Sequence, residues 1–387
     1  MSITGIICEY NPLHLGHSKQ LRQIRQAEPD GGIVCLMSGN YVQRGMPAVF
    51  DKAFRAAAAI DCGADLVLEL PVTAALSSAE GFASEGVRLL GGFCHQLSFG
   101  AEDSDVHSLT KTAEILLSPA FSQQLKAELA EGRSFPAARQ KAAEKMGLDA
   151  ALLAKPNNIL AIEYCKAILS QNSKMKPAPI FRPGDYNDTL PHPTDPSATS
   201  VRQCIENGEN WLSYIPDGAG KHFADAPVHS LSWGERAVLT RLRTMTDAEF
   251  EALPYGSEGL WRKLMKNARQ LATLEQILSA TKSKRYTRTR LDRMVMCAFL
   301  GITQDGISTP APYARVLALN DKGRQILTEA RKTGDFPNIG ETLGHPYERL
   351  EARCDDLYGL FCKDYTETPG QSKNRRIYYS GRKDTVV

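Results

Sequence analysis

MSITGIICEYNPLHLGHSK, residues 1–19, joins an apolar run to a helical pattern through a polar turn. Ile3 to Cys8 has the character of a buried parallel strand. Pro12 cannot donate to a sheet ladder and keeps Asn11 out of the helical region, so the strand stops there. From Ser18 a helical spacing begins, with Leu21, Ile24 and Arg25 on related faces. His14 and His17 therefore stand where a first strand turns into a first helix. Open α/β sheets bind ligands at that place, beyond the carboxyl ends of their strands. A helix start adds free N–H groups and a positive dipole end, which suit phosphate. Gly16 lets a phosphate or a ribose approach the backbone. Imidazoles so placed, protonated or donating hydrogen bonds, would stabilise charge on a phosphoryl group in flight. The competing reading is an ordinary helix-capping turn with two half-exposed histidines. The first-strand position and the Asn-Pro turn favour the ligand site.

Downstream the same alternation continues. Gly32–Met37 reads as a second buried strand, residues 51–59 as an Ala-rich helix, and Ala64–Leu70 as a strand closed by Pro71. Residues 74–90 read as one helix, and residues 95–99 as a strand ending at Gly100. Residues 105–144 are helix-rich without obvious chemistry. A helix starts at Pro156 with Asn157 or Asn158 as its cap, and residues 178–182 form a further strand. This pattern predicts βαβ units, a parallel sheet, and loop ends gathered on one edge. Ser197 and Thr199 enter another helix with Arg202 one turn on. That arrangement suits a phosphate seat and an ordinary N-cap equally.

The composition, 42% hydrophobic and 23% charged over 387 residues, supplies a sizeable core and fits two or three domains. No apolar run approaches the ~18 residues a membrane span needs, and no basic segment precedes an apolar one at the N-terminus. The nine cysteines form no C-x-x-C pair. Reduced thiols in the cytoplasm are expected, with neither a disulfide framework nor a protein-held metal.

Charge is uneven. Residues 227–387 carry 26 Lys and Arg against 19 Asp and Glu, a balance of +7, which leaves −5 for the rest of a chain whose net charge is +2. Past Gly208 the pattern is mostly helical. Residues 282–293, KSKRYTRTRLDR, hold six basic residues against one acid, interleaved with Tyr286. Lys284, Arg285, Arg288 and Arg290 in this stretch are the candidates for binding nucleic acid, against a solvated helix face. Tyr313 to Arg324 and the basic-aromatic tail 373–382 are weaker candidates. The expectation is an α/β, Rossmann-like ATP-binding domain over 1–210 and a mainly α-helical basic domain over 227–387.

The H-x-G-H after the first strand resembles the Rossmann-like nucleotidyltransferase superfamily. PSATSVR, residues 196–202, resembles that superfamily's second phosphate motif, ISSTxIR, with Pro196 and Ala198 departing from it. EYNPLHLGH, MSGNYVQRGMPAV, GADLVLELP, SFGAE and KPNNILAIEY together resemble the bacterial tRNA(Met) cytidine acetate ligase family, with Leu13 and Leu15 in place of an expected Phe and Asn. The resemblance runs from Ile3 to about Arg202 and continues more loosely through residues 286–302 and 313–327. It implies activation of acetate by ATP to acetyl-adenylate, then acetyl transfer to N4 of the wobble cytidine of elongator tRNA(Met). It implies that His14 and His17 are catalytic and contact the phosphates, with Mg2+ bridging pyrophosphate oxygens. ATP would be held by Ile7, Cys8, Glu9, Tyr10, Asn11, Pro12, Leu13, His14, Leu15, Gly16, His17, Ser18, Lys19 and Gln20. Gly100, Asn157 or Asn158, and Arg182 would contribute, and Ser197 and Thr199 would cap the outgoing phosphates. Two other readings compete. One is a small-molecule adenylyltransferase of cofactor biosynthesis, which needs no basic helical domain. The other is a non-catalytic RNA-binding scaffold, against which the intact histidines argue.

Overall fold

The computed structural model describes residues 1–182, 191–333, 345–364 and 377–381. Nine strands are described: β1 (Ile3–Cys8), β2 (Gly32–Ser38), β3 (Tyr41–Val42), β4 (Met46–Pro47), β5 (Leu66–Leu70), β6 (Gln96–Ala101), β7 (Lys176–Phe181), β8 (Arg315–Asn320) and β9 (Tyr378–Ser380). Seven of them form one sheet in the order β7-β6-β1-β2-β5-β8-β9, while β3 and β4 make a small hairpin. β1 runs parallel to β2, with Ile3 opposite Gly32 and Cys8 opposite Met37. β2 is buried along its whole length, as a parallel strand covered on both faces must be. Val34 and Leu36 face one core with Phe82, Val87 and Tyr164. Ile33, Cys35 and Met37 face another with Leu21, Ile24 and Ala59. A third core belongs to the helices after residue 230, including Leu242, Phe250, Leu264 and Met294.

The strand order positions the site. From β1 the chain first builds outward through β2 and β5, then returns to place β6 on the other side of β1. The crevice of such a sheet opens at that reversal, beyond the ends of β1 and β6.

Several expectations change. The helix expected over 74–90 is two, Val72–Ala75 and Ala79–Leu90, because the Ser78 hydroxyl accepts the Gly81 amide and restarts the chain. The first helix begins at Leu15, three residues before Ser18. The 156–170 helix is capped by neither asparagine; Lys155 holds the cap position without a side-chain bond. The division at 210–227 describes composition, whereas the sheet draws on both segments. β8 pairs antiparallel with β5, and β9 pairs with β8. No helix among the described residues is long and apolar enough to cross a membrane.

Candidate active site

A cleft of about 380 Å³ opens at the reversal point, within the size range of small-molecule sites. Among the expected ATP contacts, Ile7, Cys8, Glu9, Tyr10, Asn11, Gly16, His17, Lys19, Gln20, Gly100, Asn157 and Arg182 line it. Pro12, Leu13, His14, Leu15, Ser18, Asn158, Ser197 and Thr199 are not on its wall. Leu13 is fully buried in the core beneath the loop, and Ser18 is buried on the first helix. Helix phase sends Asn157 and Asn158 to different places. Asn158 is buried and its Oδ1 accepts the Asp103 amide at 2.9 Å, whereas Asn157 reaches the cleft and donates to Glu102 Oε1 at 2.8 Å.

Both histidines are capping groups, and His17 also lines the cleft. His14 is the N-cap of the Leu15–Ala27 helix; its Nδ1 accepts the Gly16 amide at 3.2 Å. His17 Nδ1 in turn accepts the His14 amide at 3.3 Å, closing a reciprocal capping box. The rings stack with centroids 3.8 Å apart. With each Nδ1 accepting, each neutral imidazole carries its proton at Nε2. Burial holds the His17 imidazolium down to a pKa of about 3, with the Arg182 charge adding to it. His14 is lowered well below the ordinary value by burial, then by His17, Arg182 and Arg202. The pair is therefore neutral at physiological pH and offers two N–H donors. His14 Nε2 is buried and has no hydrogen-bond partner among the described residues.

The second phosphate motif is occupied by structural bonds. Ser197 caps its helix by accepting the Ser200 amide at 3.0 Å. Thr199 Oγ1 accepts from Arg202, and Arg202 also donates to the Asn11 carbonyl at 2.7 Å. Arg202 thus ties the second motif to the first loop. Lys19 faces Asp195 at 3.2 Å. Gly100 could take a methyl without collision, its nearest neighbour then being Arg182 Cδ at 3.5 Å.

Sequence reasoning missed three features. Arg55 is wholly buried and donates to the Phe50, Glu9, Ser38 and Gly39 carbonyls, pinning the ends of β1 and β2 together. An arginine inside an Ala-rich helix carries no sequence signal for that. Tyr10 is held at φ +46°, a strained conformation for a bulky residue, with its ring 5.0 Å from His17. The cleft also has a second wall, from Val42, Gln43, Arg44 and Met46 around the β3–β4 hairpin and from Thr289 and Arg293 of the Arg288–Leu300 helix.

The basic stretch 282–293 is not a uniform exposed face. Its helix starts only at Arg288, with Thr287 as N-cap. Arg285 pairs with Glu258, Arg288 with Glu275 and Asp292, and Arg290 donates to the Tyr255 carbonyl. Lys284 is exposed. Beside it runs the Leu260–Gln270 helix, whose Lys263 Nζ donates to the Thr281 carbonyl and whose Arg262 and Lys266 are exposed. Downstream, Arg315 is bound among carboxylates, Lys322 donates to Gly31, and Arg324 covers the Tyr379 ring. Of the tail 373–382, residues 373–376 and 382 lie outside the described residues. No group of three His, Cys, Asp or Glu side chains among the described residues could hold a metal ion.

Residues 1–373 match the family described as HIGH Nucleotidyl Transferase. The chain is 37% identical over 358 residues to the tRNA(Met) cytidine acetate ligase of Clostridium perfringens, covering 87% of this chain and 89% of that protein. Among solved structures, it superposes on apo TmcAL of Thermotoga maritima with a TM-score of 0.90 at 27% identity, covering 98% of this chain and all of the other. TmcAL bound with alpha-thio ATP gives a TM-score of 0.88 over the same coverage.

Proposed function

The chain belongs to the tRNA(Met) cytidine acetate ligase family, and from that premise we propose that its cleft activates acetate with ATP and passes the acetyl group to N4 of the wobble cytidine of elongator tRNA(Met). The observation that carries this reading is the stacked pair of neutral imidazoles, both with Nε2–H, at the strand-to-helix turn of the cleft. Phosphoryl chemistry needs little covalent help and depends on positioned donors where charge develops.

In the first step an acetate oxygen attacks the α-phosphorus, and the bond to the β-phosphate breaks as pyrophosphate leaves with the electron pair. His17 and Arg182 face the cleft and supply a donor and a fixed positive charge to the phosphates, while His14, stacked behind His17, orients that ring. Magnesium enters with ATP as part of the substrate, held by phosphate oxygens. In the second step the N4 lone pair attacks the acetyl carbon, and the bond to the phosphate oxygen breaks as AMP leaves. The anticodon arm approaches from the helical side, where Lys284, Arg262 and Lys266 are exposed. Counting partners favours these three cations over Arg285, Arg288 and Arg290.

Purified protein given ATP, acetate and elongator tRNA(Met) is expected to form N4-acetylcytidine, read by mass spectrometry of nucleosides, and none without acetate. His17→Asn keeps a capping acceptor but lacks the ring donor, and should slow acetate-dependent ATP–pyrophosphate exchange about 10²–10³-fold. Exchange indifferent to acetate would overturn the reading.

A further inference from the structure

We propose that the second wall reads the accepting base: Gln43 and Arg293 donate to it, and Glu9 takes the proton its amine loses. The proposal rests on the acetyl-transfer reading above. Gln43 Nε2 and Arg293 Nε are both buried, and both lack a hydrogen-bond partner among the described residues. Native interiors pair nearly all such donors, so two orphans on one wall of a cleft call for an acceptor. The two residues are locked together. Arg293 Nη1 donates to the Gln43 carbonyl at 3.4 Å, and the Arg293 guanidinium lies 5.1 Å from the Tyr255 ring centroid. Gly45, at φ +76°, brings the hairpin so close to the Asp292–Arg293 backbone that a Cβ would collide with it. Glu9 Oε1 accepts the Gln43 amide at 2.7 Å, which fixes the end of the nucleotide loop to the same wall.

The wall therefore presents adjacent donors beside the nucleotide side of the cleft. Cytosine matches that pattern. Its O2 and N3 are acceptors, and N4 is the neighbouring amine that must stay free to react. Uracil, with a proton on N3, would set donor against donor. Among the described residues, the carboxylates lining the cleft are Glu9 and Asp195, and Asp195 faces Lys19. Glu9, held against the donor wall through the Gln43 amide, is the proton acceptor we assign. The N4–C bond forms, the acetyl C–O bond to the phosphate breaks with its electrons going to AMP, and the amine proton passes to Glu9 Oε2.

Atomic substitution in the tRNA tests the wall. Elongator tRNA is ligated from halves with cytidine or 3-deazacytidine, which lacks the N3 acceptor, at the wobble position. The wild-type kcat/KM for transfer should fall at least 30-fold on the 3-deaza substrate. In Gln43→Leu or in Arg293→Met, whichever donor meets N3, the two substrates should differ less than 3-fold, since the shared contact is already lost. Arg293→Lys, which lacks Nε, replaces Arg293→Met should the latter fail to fold. Glu9→Gln keeps an acceptor for the Gln43 amide, yet single-turnover transfer should slow at least 10-fold, with Glu9→Asp partly restoring it. If both donor variants keep the wild-type discrimination, the base does not meet this wall. If Glu9→Gln transfers at the wild-type single-turnover rate, Glu9 is not the acceptor. Wild type failing on unmodified tRNA would instead sink the functional reading beneath the proposal.

Discussion

His14 and His17 hold each other before they hold any ligand. The capping turn and the proposed phosphate site, which sequence alone sets against one another, occupy the same residues. That has a pH consequence. Both folded-state pKa values lie below the unfolded one of about 6.5. Below that pH the unfolded chain binds protons that the folded chain refuses, so these residues favour unfolding increasingly as pH falls from about 6.5 toward 3. Gly100 shows the opposite economy. The protein leaves room for a methyl there, so Gly100→Ala should leave the melting temperature within about 2 °C and weaken ATP binding at least tenfold by calorimetry. A variant binding ATP normally would take Gly100 out of the site. At this scale the sequence placed residues on the cleft where strands end, as with Gly100 and Arg182, and on the first turn of the helix after β1, as with His17. It was silent where helix phase decides, as for Asn158, and where a side chain turns inward, as for His14 and Leu13.

Strands and helices were legible when their period was undisturbed. β1, β2, β5 and the 198–207 helix follow their apolar spacing, but the 74–90 stretch breaks at Ser78 because a hydroxyl there competes for backbone amides. In the stretch 282–293 the surroundings of the basic residues were not legible, for another reason. Composition counts charges but not their partners, and those of Arg285 and Arg288 lie at Glu258 and Glu275, many residues upstream. On the helical side, Arg262 and Lys266 of the Leu260–Gln270 helix and Lys284 are exposed with no described acid partner, whereas Arg269 of the same helix pairs with Asp247. Replacing Arg262, Lys266 and Lys284 with Ala should lower the slope of log affinity for tRNA against log salt by about 2 to 3, roughly 0.7–0.9 per lost phosphate contact. Acetate-dependent exchange should continue, because these side chains are not on the cleft wall. An unaltered salt slope would move the RNA surface elsewhere.

Across the whole molecule, a buried charge cluster fastens the late helices to the early sheet. Lys52 meets Glu69 at 2.6 Å and Asp355 at 2.8 Å, and Arg315 meets Glu69 and Glu351 at 3.0 and 3.1 Å. Three carboxylates face two cations, and burial, followed by the Glu69 charge, lifts Glu351 to a pKa of about 7. Between the unfolded value of about 4.3 and 7 the folded state keeps a proton that the unfolded state releases. Stability therefore falls as pH rises through that window, by up to about 1 kcal/mol per pH unit from this group. Glu351→Gln cannot titrate, so its stability curve from denaturant melts should lose that slope relative to wild type; parallel curves would exclude the assignment. Little of this was visible in sequence, since Lys52 and Asp355 are 303 positions apart. A separation of similar scale divides β5 from β8, which closes its open edge. On a ribosome, Leu70 is made 245 residues before Arg315, about 12–50 s earlier at 5–20 residues per second. Throughout that interval the nascent chain carries an apolar strand, Leu66–Leu70, with one hydrogen-bonding edge unpaired, the template on which neighbouring chains aggregate and which chaperones exist to cover.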